Sequence, residues 1–358
     1  MDRPPVADAE IIAEGRALPT ERDRTSLGDR LLFVVVNALL YVRHPEFTLR
    51  FRRKCGRWPD YARPRSFEDL VQWRKLFDRN PTYSILLDKI AVKDWARERC
   101  PDLQVPETVW TGDAADDLPT KYLDNGYVIK TSNSVNQNYF PAKSGASREA
   151  FLATANRWIS RPRRSWRFWF PVRRRFLAER LIIGAPLVDI SIRVTDGTAT
   201  IVSCATDFKT KQERLGYFFR DGTRIWSADS PDYESLPKDF VAPQCLSRAV
   251  SFAERIGAGW DYLRIDFLAT GDTFFLSEIT LYPNSGYGFS SWRTEVIYRY
   301  WLEALHLSWP LNEAHGWPLS LYFAAFDRWL AKQKRSLGPA VSYYEQRYEA
   351  ERVRVAAE

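Results

Sequence analysis

The chain is poor in the residues that build metal centres and disulfide scaffolds. It has 3 His and 4 Cys in 358 residues. His44, His306 and His315 are too dispersed for a His-built metal site. Cys55, Cys100, Cys204 and Cys245 show neither a CxxC pair nor zinc spacing, which argues against zinc ribbons and dithiol redox motifs. A reducing compartment, the cytoplasm, is therefore expected. Long apolar runs are missing too. The longest, from Leu31 to Val42, is interrupted by Asn37 and falls short of the ~20 residues of a spanning helix. It predicts a buried helix over 26–42 entered by Ser26, with interfacial membrane binding as the alternative. Residues 1–24 mix charges with Pro4, Pro5 and Pro19 and lack an apolar stretch, which predicts a loose tail and no secretory signal. No GxxxxGK[ST], GxGxxG or GxSxG occurs, which speaks against P-loop, Rossmann and α/β-hydrolase sites.

Lysine is scarce, with 12 Lys beside 40 Arg. A Lys at a chemically sensible place therefore carries more weight than usual. The formal net charge is +7 and suits an anionic partner without choosing among nucleotide, phosphosugar, polyanionic glycan, nucleic acid and membrane surface. Hydrophobic residues at 45% and charged ones at 27% exclude wholesale disorder. The length suggests two domains or one large fold with appendages.

Along the chain, Ser66-Phe67-Glu68-Asp69 reads as a capping box opening a helix to Phe77. A helical stretch over 82–99 carries Asp88-Lys89. Gly126-Tyr127-Val128-Ile129-Lys130 is a short buried-type strand ending in lysine, followed by a polar loop, 131–139. A helix over 147–160 precedes an Arg/aromatic run, 161–175. Strands follow at 175–182, 187–195 and 198–206, then a hairpin over 216–227 turning at Asp221-Gly222. Next come a helix over 243–257 and strands at 261–268 and 273–279. Beyond 291 the pattern is helical and aromatic. This order predicts an α+β fold.

Four features could carry chemistry. Alternation puts Tyr262, Arg264, Asp266 and Leu268 on one strand face. With a three-residue loop at 270–272, Asp266 would face residue 276 and Arg264 would face Glu278. Asp266 and Glu278 would then be diagonal neighbours that could share Mg²⁺, a cation that prefers hard oxygen ligands. An Arg–carboxylate contact on a solvated sheet face explains the same pattern. Lys130 could present an ammonium to phosphates, or merely snorkel at a strand end. Ala178-Glu179-Arg180-Leu181-Ile182 could hold adenine along a strand edge, or be an edge strand whose Glu pairs with Arg. The run 161–175 could grip a polyanion or an anionic membrane, or be a surface face whose aromatics are buried.

Taken together, these words resemble the ATP-grasp superfamily, and within it the TupA-like branch named for teichuronopeptide biosynthesis. The resemblance spans about 47–290. It rests on Phe51-Arg-Arg-Lys-Cys-Gly-Arg-Trp-Pro59, Ser66-Phe-Glu-Asp-Leu-Val-Gln-Trp73, Leu76-Phe-Asp-Arg-Asn80, Leu87-Asp-Lys89 with Val92, Tyr127-Val-Ile-Lys130, Ala178-Glu-Arg-Leu181, Arg264-Ile-Asp-Phe267 and Ser277-Glu-Ile-Thr-Leu-Tyr-Pro283. The resemblance implies two α+β subdomains clasping ATP (residues 126–290), a helical region before them (64–125), and helical N- and C-terminal extensions (1–63 and 291–358). It implies Lys89 and Lys130 on phosphates, Glu179, Arg180 and Leu181 at the adenine edge, and Asp189 near the ribose. Asp266 and Glu278 would hold Mg²⁺, and Arg264 and Lys130 would assist transfer. The chemistry would be carboxylate activation as an acyl-phosphate, followed by attack of an amine.

Two features differ from the family pattern. The loop after Lys130 lacks glycine, and Glu278-Ile279-Thr280 stands where the family has Glu-x-Asn, with Asn284 as the nearest substitute ligand. By analogy the partners are an anionic, uronic-acid-containing glycan and an amino acid or amine. No nucleic acid is expected, and peripheral association with the inner membrane face is an option. The residues also leave open a kinase of the same fold and a non-catalytic polyanion- or membrane-binding module with a vestigial ATP site.

Overall fold

Residues up to Asp78 and the segment Tyr282–Ala357 form one unit, and Arg79–Leu281, which lies between them in sequence, forms a second. The computed structural model describes residues 26–134, 137–160, 170, 172–184, 186–208, 210–227, 233–288 and 291–357. The N- and C-terminal regions expected as separate helical extensions thus belong to one unit. Most of the Arg/aromatic run, 161–169 and 171, lies outside the described residues, as does the predicted tail up to residue 25.

The first unit is helical: α1 (Leu27–Arg43), α2 (Pro45–Cys55) and α3 (Phe67–Phe77) before the insertion. Ser26 caps α1 as expected, its Oγ accepting from Asp29 N at 3.0 Å. Helix α2 is an addition to the sequence reading, which took 50–59 only as a basic stretch. Gly56 ends it in the left-handed region, φ 70, where glycine pays no Cβ penalty. The expected capping box at α3 is half formed. Ser66 Oγ accepts from Asp69 N at 3.2 Å, but the Asp69 carboxylate instead takes Arg57 Nη1 at 2.9 Å and the backbone N–H of Asp60 and Arg65. Helix α3 is buried along most of its length, so it needs partners all round.

In the second unit the helix expected over 82–99 is broken into α4 (Tyr83–Leu86) and α5 (Ala91–Arg99). The break lies at Asp88-Lys89. There Asp88 Oδ1 accepts from Ile90 N at 2.9 Å, and Lys89 N donates to Ser132 O at 2.8 Å, so backbone groups a helix would use are spent elsewhere. The next elements are β1 (Thr108–Gly112), β2 (Tyr127–Thr131), β3 (Asn138–Tyr139), α6 (Pro141–Ser144), α7 (Arg148–Ser160) and β4 (Phe176–Arg180). Among the described residues these strands form a four-stranded sheet in the order β1-β4-β2-β3. Its β1–β4, β2–β4 and β2–β3 pairs are all antiparallel. Phe151, Ala155 and Trp158 of α7 pack on Ile129, Phe176 and Ala178 of one face.

A larger antiparallel sheet follows: β5 (Leu187–Thr195), β6 (Thr198–Thr206), β7 (Arg214–Phe219), β8 (Arg224–Ile225) and β9 (Glu234–Ser235), then α8 (Leu246–Gly257), β10 (Leu263–Thr270) and β11 (Thr273–Thr280). Its order is β11-β10-β5-β6-β7-β8, with β9 added in parallel beside β7. Ile190, Ile192, Val194, Ile265 and Phe267 are buried, as are Ala249, Ala253 and Ile256 of α8. Helix α8 approaches β5 so closely that a Cβ on Gly257 would lie 2.5 Å from Val194 Cγ1. The other face of the sheet carries Asp189, Ser191 and Arg193 at alternate positions of β5.

The chain returns to the first unit with a tight turn, Pro283–Gly286, then α9 (Trp292–Ala304), α10 (Leu319–Leu337) and α11 (Ala340–Ala357). Ser291 and Thr294 form a reciprocal capping box at α9. The aromatic C-terminal residues fill the core around α3: Trp73 stacks on Phe326 at 5.0 Å and Phe77 on Tyr322 at 4.8 Å. Arg74 lies over Trp301 at 4.4 Å. The molecule is α+β with antiparallel sheets and helical N- and C-terminal regions.

Candidate functional site

The small sheet turns one face to α7 and builds a charged cluster on the other. Val128 and Thr108 both pair with Glu179, and Lys130 pairs with Leu177, so Thr108, Val128, Lys130 and Glu179 share this face. Glu179 is 2% exposed. A carboxylate that deep is tolerated only if it is paired. Lys93 Nζ donates to its Oε1 at 2.5 Å and Lys130 Nζ to its Oε2 at 2.6 Å. Burial would raise the Glu179 pKa, but the two ammonium groups outweigh it and hold the carboxyl below its ordinary range. Burial also lowers the Lys93 pKa, with Glu179 opposing.

The two lysines are not equivalent. An ammonium has three donors. Lys93 spends its set on Glu179, Pro106 O at 2.8 Å and Thr108 Oγ1 at 2.6 Å. Lys130 has Glu179 as its hydrogen-bond partner among the described residues, so two N–H groups are left for a ligand. Lys93 was missed in the sequence. Its signal was the rarity of lysine and its placement four residues after Lys89.

Glu179, Arg180 and Leu181 were expected at an adenine edge. The Glu179 carboxylate is committed to the lysines. Arg180 points outward to Glu107, Nε to Oε2 at 2.7 Å. Leu181 N donates to Gly126 O at 2.8 Å. The glycine-less loop after β2 is pinned by its own polar residues: Ser132 N donates to Arg175 O at 2.8 Å and Asn133 Nδ2 to Val172 O at 3.0 Å. Lys89 Nζ donates to Ser134 O in the same loop. Lys89 also lines a small cleft with Leu86, Val92, Ser277 and Glu278, which links the loop to the edge of the large sheet.

On the large sheet the expected register is corrected. The hairpin turns through Gly271 and Asp272 alone, with Thr270 opposite Thr273. Continued unbroken, that register would set Asp266 opposite residue 277 and turn Glu278 away. A bulge restores the arrangement: Phe267 pairs with Leu276 and Asp266 with Glu278, leaving Ser277 as the extra residue. Leu276 therefore stays in the core while Glu278, two residues on, shares the polar face with Asp266. The carboxylates are directly opposite rather than diagonal, and Arg264 faces Thr280 rather than Glu278.

Arg264 grips Asp266 with Nε at 2.9 Å from Oδ1 and Nη2 at 2.7 Å from Oδ2. Thr280 Oγ1 donates to Asp266 Oδ2 at 3.3 Å. Burial works against the Arg264 charge, yet Asp266 outweighs it and raises the guanidinium pKa. The sequence reading also missed Arg193, which pairs in register with Arg264. Its Nη1 donates to Ser203 Oγ at 2.8 Å and Ser191 O at 3.0 Å, and burial lowers its pKa. Asp189, paired with Leu268 and Ala205, is on this face as well. The Glu278 carboxylate accepts no hydrogen bond among the described residues.

The donor set fits Mg²⁺ in kind. Mg²⁺ commonly takes one or two carboxylates and completes its shell with substrate phosphates and water. Asp266 and Glu278 supply that number. No group of three or more His, Cys, Asp or Glu among the described residues could hold an ion unaided. Asn284 belongs to the helical unit, in a turn where it has φ 47.

No protein-family profile matches the sequence, and no curated protein does. Solved structures show remote similarity. ATP-grasp ligase PsnB complexed with minimal precursor is 13% identical over 60% of this chain and 58% of that one, with a TM-score of 0.33. D-alanine–D-alanine ligase from Bacillus anthracis is 13% identical over 56% and 58%, with a TM-score of 0.34. The D-alanine–D-alanine ligase from Helicobacter pylori is 14% identical over 67% of each chain, with a TM-score of 0.41. The chain thus spans little more than half the length of the first two.

Proposed function

We propose that the protein is an ATP-grasp carboxylate–amine ligase of the TupA-like kind, which joins an amino acid or amine to a uronic-acid-containing polysaccharide or its precursor. The observation that carries this reading is Lys130: a rare lysine, fixed by a buried carboxylate, with two donors left over on a sheet face. Such an ammonium is positioned before the ligand arrives and spends none of its ordering cost on binding. The net charge of +7 suits an anionic acceptor.

In the proposed reaction an acceptor carboxylate oxygen attacks the γ-phosphorus of ATP, and ADP leaves. The amine then attacks the acyl carbon, loses a proton and expels phosphate. Lys130 binds phosphate oxygens, and Lys93 keeps Glu179 in place as the support of Lys130. Lys89 holds the loop 132–134 that borders the nucleotide. Arg264 and Arg193 add positive charge where negative charge develops. Asp266 and Glu278 would hold Mg²⁺, which when bound neutralises the β- and γ-phosphates. One observation favours a second reading, a nucleotide-binding protein without turnover: both Asp266 oxygens are already engaged by Arg264.

Nucleotide titration with and without Mg²⁺, together with ADP release from wild type and Glu278→Gln, tests both. The ligase reading expects metal-dependent affinity, amine-dependent ADP release, and a loss of order a hundredfold or more in the variant with its melting temperature kept. Metal-independent binding with no ADP release across candidate acids and amines would establish the second reading. Absence of binding at millimolar ATP would sink both.

A further inference from the structure

Helix α1 carries a stripe of apolar side chains on its outer side. Leu27, Leu31, Val34, Val35, Leu39 and Val42 are between 45% and 84% exposed. At about 100° per residue they fall within one arc of about 140°. The exposed Arg30 and Arg43 stand at its two margins. The inward side is mixed: Leu32, Val36 and Leu40 are half-buried beside Phe33, and polar groups are tied down among them. Asp29 is gripped by Arg328, with Nη2–Oδ1 at 2.5 Å and Nε–Oδ2 at 3.0 Å. Asn37 Nδ2 donates to Asp60 Oδ1 at 2.8 Å, and Tyr41 OH to Pro59 O at 2.5 Å. Phe33 is the buried apolar residue of this helix, edge-on to Tyr322 at 6.3 Å. The usual surface helix has one apolar stripe, which faces the core; α1 has a second one, which faces out. A contiguous greasy stripe of this kind marks an interaction surface.

The neighbouring charges decide the occupant. After α1 comes α2, where Arg50, Arg52, Arg53 and Lys54 are exposed against a single exposed acid, Glu46. In a two-fold pair of copies the same cations would line both sides of the contact and repel. Anionic headgroups would instead neutralise them. No described helix is long and apolar enough to cross a membrane. A helix with an apolar arc and basic margins lies in the interface plane. We propose that α1, with the basic surface of α2, docks the protein on an anionic lipid bilayer. The Leu/Val arc enters the acyl boundary, while Arg30 and Arg43 stay at phosphate level.

The test is co-sedimentation of the full chain with phosphatidylcholine vesicles and with vesicles containing phosphatidylglycerol. The proposal expects binding to the anionic vesicles, weak binding to the neutral ones, and weakening with salt. Leu31→Gln/Leu39→Gln/Val42→Gln changes only exposed positions and should lower the partition at least tenfold with an unchanged melting temperature. Should that variant fail to fold, Arg30→Gln/Arg43→Gln keeps the apolar arc and should lower anionic binding about fivefold per charge. Sedimentation velocity runs in parallel. Equal binding by wild type and the folded variants overturns the proposal, as does no binding to anionic vesicles by a monomer, which would mean the chain covers its own face. A dimer that the Gln variants dissociate also overturns it and assigns the face to a second copy.

Discussion

Lys93 and Lys130 share one carboxylate yet differ in what remains of each. Lys93 is saturated and Lys130 is not, so their variants should separate stability from ligand binding. Lys93→Met leaves Pro106 O, Thr108 Oγ1 and half of Glu179 without a partner in a buried setting, with an expected cost of about 3–5 kcal/mol. Lys130→Met should cost less stability and weaken nucleotide affinity more. Thermal melts beside nucleotide titration check the split, and equal effects of the two on affinity would show that Lys93 also reaches the ligand. Lys75 in α3 makes a second residue-scale case. It is buried, donates to Ser285 O at 2.6 Å, and desolvation, helped by Arg50, lowers its pKa from 10.5 to about 7. Between those values the unfolded chain binds more protons than the native one, so stability rises with pH from about 7 toward 10 and is flat for this group below 7. Lys75→Met should remove that slope. Melting temperatures of wild type and variant, compared from pH 7 to 9.5, should show wild type gaining on the variant.

At the scale of elements, the β10–β11 hairpin depends on one extra residue. Leu276 and Glu278 would face the same way in a regular strand, and the bulge at Ser277 separates them. One alanine inserted between Ser277 and Glu278 should turn Glu278 off the polar face. The expected result is a folded protein with the turnover loss of Glu278→Gln, read by circular dichroism and ADP release. The same hairpin shows what a sequence can and cannot disclose. The strand at 187–195 was legible because buried and half-buried residues alternate there. Arg264 and Asp266 were legible because they alternate with Leu263, Ile265 and Phe267, whereas 198–206 is buried along its whole interior and reads as a run of small and β-branched residues. The bulge was not, because a break in period two becomes visible only once the partner register is known. Lys93 was hidden by reading 82–99 as one helix. The break at Asp88-Lys89 is made by a hydrogen bond to Ser132, far along the chain. Arg193 was within reach: it follows Asp189 and Ser191 at alternate positions, but nothing local tied that face to Arg264 and Asp266.

The whole molecule is discontinuous, and this gives its synthesis a timetable. Helix α3 is complete early, yet the rings it packs against, Trp301, Tyr322 and Phe326, come after the entire inserted unit. At roughly 5–20 residues per second, the ~200 residues between them occupy a ribosome for about 10–40 s. Over that interval Trp73 and Phe77 have no aromatic partners from α9 or α10, while Arg79–Leu281 contains its own sheets and helices. Chains halted at Leu281 should therefore yield a protease-resistant fragment covering Arg79–Leu281, with residues before Asp78 digested. Resistance of the N-terminal segment in those halted chains would disprove the ordering. The nascent protein thus completes the Arg79–Leu281 unit first and carries α3 unfinished until the last fifth of the polypeptide emerges. Chaperone demand should therefore fall on that early segment rather than on the sheets.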